Sequence, residues 1–441
     1  MRSLLLLAEM LVLLPMAIRA PIVGVLVFDW VSFMNPQQVS WGPASSLPWA
    51  LAAFLATVLG MALNPSYAKR LTPTPMIVLM VLFVAGIWLN SQFALGSPKA
   101  EYEGLIRATK IFVMLIITEM LLINRRRIDA VIWIGTISLG YYIIDQGGIT
   151  LLRGGIHKSV GPPNSMISDT NEFSAALVVI LPLLNYLRLQ ARYKIIRAGF
   201  MLAMGFTVLT IVGSFSRGAL LGLLGIGGVL WLKSRYKLVT LVGIGGLVLM
   251  VVLLMPQTYW DRMYTIIHYQ HDASAQGRLE IWVVAWRLFL AHPFTGVGFH
   301  ATLSPWVVNS VMPDALRRDI HSIWFQVLGE QGIIVFTVWL MMTVLGFLNT
   351  RKIVRLTRGR PELEWARDLA RMGEISILGY VITGTFLPIS AWDFYFTILV
   401  ILSATRTVVV HAVRANTWQP LSAIAAGRHQ FGRDNAMGAA R

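Results

Sequence analysis

The residues whose types and spacing could do chemistry are four cations, Arg217, Arg278, Arg107 and Lys110, and one imidazole, His321. Arg217 ends one apolar run and begins the next in SFSRGALLG, with almost no loop between them. Two readings of it stand. It is an interfacial arginine snorkelling to headgroups, or a guanidinium aimed into a cavity, where its planar fork matches a phosphate or diphosphate. Ionisable groups inside membrane spans are costly, and function is the default explanation for one. Arg107 and Lys110, in EGLIRATK, are three positions apart and share a helix face, so they either snorkel too or add two charges at the depth of Arg217. Arg278 starts the stretch GRLEIWVVAWRLFLA, where unpaired helix N–H groups also favour anions, while Arg287 further along reads as structural. His321 leads HSIWFQVLGEQG. Its ring titrates near neutral pH and can take a proton from a hydroxyl without a metal, or it can simply cap the helix. Asp319 is close enough in sequence to orient the ring. Glu330 would lie about half a turn from His321 on an ideal helix, and becomes a partner only if that helix breaks at Gly329.

Other chemistries find less support. His268 and His271 with Asp272 could touch a metal, but there is no HExxH and the chain has no cysteine, so neither a metal site nor a cofactor is expected. There is no Walker A sequence, no dinucleotide fingerprint and no GxSxG, which argues against ATP-driven transport and serine hydrolysis. Asp169, Asn171 and Glu172 read as a cap for the helix that follows.

The elements that must hold these residues are set by composition. Hydrophobic residues make up 56% of 441 positions, charged residues 13%, and mean hydropathy is +0.66, which describes an all-α polytopic membrane protein. The net charge of +16 is spread through short loops between apolar runs, a mark of membrane orientation, and no nucleic acid is implied. Apolar runs at 3–18, 21–34, 47–63, 75–89, 105–123, 128–144, 173–189, 198–215, 218–232, 238–255, 333–348, 375–389 and 394–410 predict about 12 (12–13) transmembrane helices, the first pair being two tilted helices or one broken hairpin. Basic residues at 69–70, 125–127, 192–197, 233–237 and 351–371 mark the cytoplasmic loops. The loops at 35–46, 90–104, 145–172, 214–217 and 256–320 then face the periplasm. In the largest, 256–320, five arginines balance five carboxylates. A helix at 275–291 inside it turns Leu279, Trp282, Val283, Trp286 and Leu290 to one face and is expected to lie along the membrane. Residues 1–410 form one transmembrane domain on this reading, and 411–441 a disordered cytoplasmic tail.

With these residues in place, the chain resembles the O-antigen ligase and O-antigen polymerase superfamily of bacterial inner-membrane glycosyltransferases. The resemblance rests on Ser216-Arg217-Gly218 between two spans, Gly277-Arg278 with Trp282, HPFTGVGF at 292–299, and His321 leading to Glu330 and Gly332. The segment GPPNSMISDTNEFSAALVVILPLL at 161–184 is similar to the one preceding that Ser-Arg-Gly turn, so the likeness covers roughly 161–348. It implies that arginines at the Arg217 and Arg278 positions hold a diphosphate and that a histidine at the His321 position is essential; Arg107 or Lys110 is expected, from the position of its charge, to assist. It also implies a donor glycan on undecaprenyl diphosphate, an acceptor hydroxyl on lipid A-core or another molecule, a surrounding of membrane lipids, and a periplasm-facing site. Ser322 stands where many members have Asn, so no side-chain amide is expected to act there. SFMNPQQVSWG at 32–42 is similar to O-glycosylation ligases found with exosortase systems, which widens the choice of acceptor. The same residues would serve a polymerase or a protein O-oligosaccharyltransferase. A transporter of anionic lipid would need charges deeper in the spans.

Overall fold

The computed structural model describes residues 2–64, 73–153, 158–233, 237–264, 270 and 272–417. Lys69, Arg70, Arg235, His268, His271 and the tail from 418 onward lie outside the described residues. Those described fold into helices without a strand. Setting aside single turns at Pro36–Val39 and Pro305–Asn309, the α-helices are α1 (Arg2–Arg19), α2 (Pro21–Met34), α3 (Trp49–Leu63), α4 (Pro75–Asn90), α5 (Pro98–Leu121), α6 (Arg125–Leu152), α7 (Thr170–Gln190), α8 (Lys194–Gly213), α9 (Arg217–Lys233), α10 (Lys237–Leu254), α11 (Gln257–Tyr264), α12 (Ala273–Ala291), α13 (Ile323–Leu356), α14 (Glu364–Gly384) and α15 (Asp393–Thr417). Six of them, α4, α6, α7, α8, α13 and α15, are long and apolar enough to cross a membrane by length and composition. Among the others, α2 and α3 are shorter, and α5, with Lys99, Glu101, Glu103, Arg107, Lys110 and Glu119, is too charged for that criterion. The last helix runs to Thr417, past the boundary at 410 that hydropathy suggests.

The N-terminal pair is a hairpin broken at Ala20. Ser3 at the start of α1 accepts a hydrogen bond from the Ala44 N–H, beyond the end of α2, so the two helices run in opposite directions. Their turn packs on Gly60, where an added Cβ would lie 2.6 Å from the Ile18 carbonyl.

The enclosed centre is α7, buried along nearly its whole length between α8, α9 and α14. A backbone in lipid must satisfy its own hydrogen bonds, so the one sharp departure from helix needs an explanation. It occurs in α13 at Gly332, with φ 69° and ψ 179°. The irregular stretch 293–300 lies against this break and repairs it. Val297 and Gly298 donate to the carbonyls of Gly329 and Glu330 at 3.1 and 2.9 Å, Ile333 donates to Pro293 at 2.8 Å, and Asn90 Nδ2 donates to the Gln331 carbonyl at 2.5 Å. The approach is so close that a Cβ at Gly332 would stand 2.5 Å from the Phe294 carbonyl. The helix therefore breaks at Gly332, not at Gly329.

The segment 256–320 is more than a connection. It has its own apolar core, formed by Ile281, Val284, Ala285 and Leu288 of α12 with Val297, Ala301, Val307, Val308, Ala315 and Ile320. The face of α12 used for this leaves Leu279, Val283, Trp286 and Leu290 of the predicted apolar stripe exposed, whereas Trp282, expected with them, packs inward on Phe325.

Candidate functional site

The turn between α8 and α9 is built to present Arg217. Phe215 takes a left-handed conformation (φ 59°), and Ser214 Oγ accepts from the Ser216 N–H at 3.1 Å. Ser216 Oγ then accepts from Ala219 at 3.4 Å, which starts α9 with Arg217 in its first turn. Arg262 of α11 clamps the turn from outside, donating through Nε to the Phe215 carbonyl at 2.9 Å, and Tyr259 packs edge-on against the Phe215 ring.

Arg217 meets α12 through Asp272. Its two Nη groups donate to the two carboxylate oxygens of Asp272, both at 3.0 Å, while Asp272 Oδ1 also caps α12 by accepting from Ala275 at 2.7 Å. That cap brings the first turns of α12 and α9 together, and Arg278 joins Arg217. A small polar pocket results, lined by Asn171, Ser216, Arg217, Gly218, Arg262, Arg278, Phe386 and Leu387. Its volume is about 10 Å³, room for roughly one water. Burial pushes the Arg278 pKa below its ordinary value, and so do the Arg217 and Arg262 charges, against the opposing pull of Glu172 and Asp272.

The His321 loop reaches the same helix. Trp282 Nε1 of α12 donates to the His321 carbonyl at 3.2 Å, and the Trp282 ring stacks on Phe325 and lies 6.2 Å from Phe386, itself a wall of the arginine pocket. One residue before Arg278, Gly277 carries Arg318: an added Cβ would sit 1.8 Å from Arg318 Nη1. The His321 ring is held at Nδ1 by the backbone carbonyl of Asp319, 2.8 Å away. A carbonyl only accepts, so Nδ1 carries the hydrogen and the neutral ring keeps its lone pair on Nε2. His321 stands just before α13, which begins at Ile323 with Ser322 as its N-cap. Glu330 does not face it. Its carboxylate accepts from the His300 N–H at 3.0 Å.

Arg217 and Arg278 thus converge. Arg107 and Lys110 line a different, larger cavity of about 770 Å³, which carries apolar walls from Phe28, Val31, Trp49 and Phe54 and a polar part from Asn35, Gln37 and Asn164. Arg287 donates to the Val311 carbonyl at 3.0 Å, in line with its structural reading. Asp169 does cap α7, accepting from Asn171 at 2.9 Å, but Asn171 also lines the arginine pocket. Sequence reasoning missed Arg262, Arg318 and Asn171. Nothing in periodicity separates Arg262 from an ordinary surface arginine of the loop. The adjacency of Gly277 to Arg278 was a visible signal for a close approach at that turn, though not for which residue makes it. Among the described residues no cluster of His, Asp or Glu could hold a metal ion, and His268 and His271 lie outside them.

Residues 202–340 match the O-antigen ligase family, and residues 1–192 match a family of unknown function. No curated protein matches the chain. The first match contains Arg217, Arg262, Arg278, Arg318 and His321, so this part of the chain is similar to the O-antigen ligase family. Six apolar helices long enough to cross a membrane fit a multi-pass membrane protein.

Proposed function

We propose that the protein transfers a glycan from an undecaprenyl-diphosphate-linked donor to a hydroxyl of lipid A-core or another membrane-associated acceptor, at the periplasmic face of the inner membrane. The observation that carries this reading is the meeting of Arg217, Arg262 and Arg278 from three separate helices, with His321, its Nδ1 already occupied, tied to the helix of Arg278 through Trp282. Transfer to a hydroxyl makes one bond and breaks one. The acceptor oxygen attacks the anomeric carbon from the face opposite the leaving group, its proton passes to His321 Nε2, and the electron pair of the broken C–O bond leaves on the diphosphate. Attack from the opposite face inverts the anomeric centre. Preorganised guanidiniums stabilise the charge growing on the diphosphate, a role that elsewhere falls to a divalent metal. Arg217 and Arg278 hold the diphosphate on this reading, and Arg107 and Lys110 add positive charge at the larger cavity, whose apolar walls suit a lipid chain.

The same reading has the 12 to 13 spans and the cytoplasmic C-terminus that the basic loops predict, with segment 256–320 in the periplasm and the exposed stripe of α12 resting on the bilayer. A polymerase using a second lipid-linked saccharide as acceptor would employ these residues equally well. One block transferred to lipid A-core or protein distinguishes the ligase from the lengthening ladder of a polymerase. The experiment is donor consumption by purified protein with candidate acceptors, with and without EDTA. Turnover that survives EDTA and falls on the order of 10²- to 10⁴-fold in His321→Ala supports the reading. Wild-type turnover in His321→Ala would end it.

A further inference from the structure

His300 is a histidine of segment 292–321 that the reaction above leaves unused, yet it is held on three sides. Its backbone is left-handed (φ 52°), an uncommon state for a residue with a side chain. Its N–H donates to Glu330 Oε1 at 3.0 Å, below the Gly332 break. The N–H of Phe299 donates to Glu101 Oε2 of α5 at 2.5 Å, which fixes the backbone on the other side. Its Nδ1 lies 3.1 Å from Asp319 Oδ1. Asp319 is the residue whose carbonyl accepts from His321 Nδ1. One residue therefore touches both histidines, through its side chain to one and its backbone to the other.

We propose that His300 is a positioning residue for His321: its imidazolium anchors the Asp319 carboxylate, and the Asp319 carbonyl so fixed holds the His321 ring with its lone pair on Nε2. The assignment rests on the reading of His321 as the base. The groups facing His300 are Asp319 on its own segment, Glu330 on α13, and Glu101 and Arg107 on α5, of which Arg107 alone opposes its positive charge. With the three carboxylates around it, His300 stays protonated at neutral pH, its pKa raised to about 9, chiefly by the bond to Asp319. A misplaced base costs rate and leaves donor binding alone, because the arginines make that contact.

The test compares wild type, His300→Ala and His300→Asn, whose side-chain amide can donate to Asp319 from near the Nδ1 position. The expected result is a kcat lowered about 10- to 100-fold in His300→Ala, with donor KM within about twofold of wild type, and a kcat largely recovered in His300→Asn. A second measurement needs no turnover. Diethyl pyrocarbonate attacks the free ring nitrogen, and mass spectrometry reads its yield at His321 at a fixed pH. In His300→Ala, release of the Asp319 carbonyl from its fixed place changes that yield relative to wild type, and His300→Asn restores it. Wild-type kcat in His300→Ala, a loss confined to KM, or an unchanged His321 yield in a variant that melts normally would each overturn the proposal. If wild-type protein transfers no glycan from any polyprenyl-diphosphate donor, the transferase reading fails while the labelling experiment still decides the positioning.

Discussion

Arg217 and Asp272, 55 positions apart, form a two-pronged ion pair with both N–O distances at 3.0 Å, and side-chain exposures of only 13% and 18%. The same carboxylate caps α12, so one residue sets the spacing between the two helices that bring Arg217 and Arg278 together. It also occupies the geometry in which a phosphate would meet the Arg217 fork. With room for about one water beside it, the pocket could take the proposed diphosphate only if this pair yielded.

Asp272→Asn keeps the cap, since Asn serves that position as well as Asp, and removes the competing charge. Donor KM should fall about fivefold, the equivalent of roughly 1 kcal/mol for a partly buried pair. Initial-rate kinetics with varied donor read this directly; an unchanged or raised KM would mean Asp272 is needed to hold Arg217 in place.

Arg262 lines the pocket and also holds the Phe215 carbonyl of the strained turn. Arg262→Ala should therefore lower kcat/KM for the donor by roughly 10- to 100-fold, a loss on the scale of one donor removed from a charge-stabilising site. Arg287→Ala, which takes away only a bond to the Val311 carbonyl, is the comparison and should retain activity within a few-fold.

Gly332 sits at φ 69° with the Phe294 carbonyl 2.5 Å from where a Cβ would be. Gly332→Ala meets both penalties, the conformational one alone being about 1–3 kcal/mol. The thermal midpoint in detergent should drop clearly, and the yield of folded protein with it.

The His300–Asp319 pair gives a pH dependence whose sign follows from its two shifts. His300 is raised to about 9 by Asp319, so its contribution is complete below its unfolded pKa near 6.5 and fades as pH climbs through 9. Asp319 is lowered, chiefly by His300, so its contribution is present above about 3.8 and is lost as pH falls below that. The pair is partly exposed, at 37% and 40%, so the effect is small. Thermal midpoints recorded from pH 5 to 10 should show a decline between about pH 6.5 and 9 in wild type that is absent in His300→Ala.

Most helices were legible in the chain because each apolar run is a local property. The ends of α7, α8 and α10 fall within a few residues of their hydropathy limits. Periodicity also foresaw the exposed stripe of α12, but not that Gly277, Ile281, Val284 and Leu288 on another face would close a small core with residues from 297 to 320. Helix periodicity extended past Gly332 as well, and could not foresee a break repaired by hydrogen bonds from 293–300.

By itself the sequence determined the all-helical membrane character, the small set of cations outside the basic loops, and the pairing of glycines with Arg217 and Arg278, since composition and short motifs are written in adjacent residues. Only the tertiary structure decided that Arg262 joins Arg217 and Arg278 while Arg107 and Lys110 line another cavity, that Glu330 serves His300, and that the Asp319 carbonyl orients His321. The reason is physical: these partners come from helices and loops far apart in the chain, and packing alone sets the distances between them.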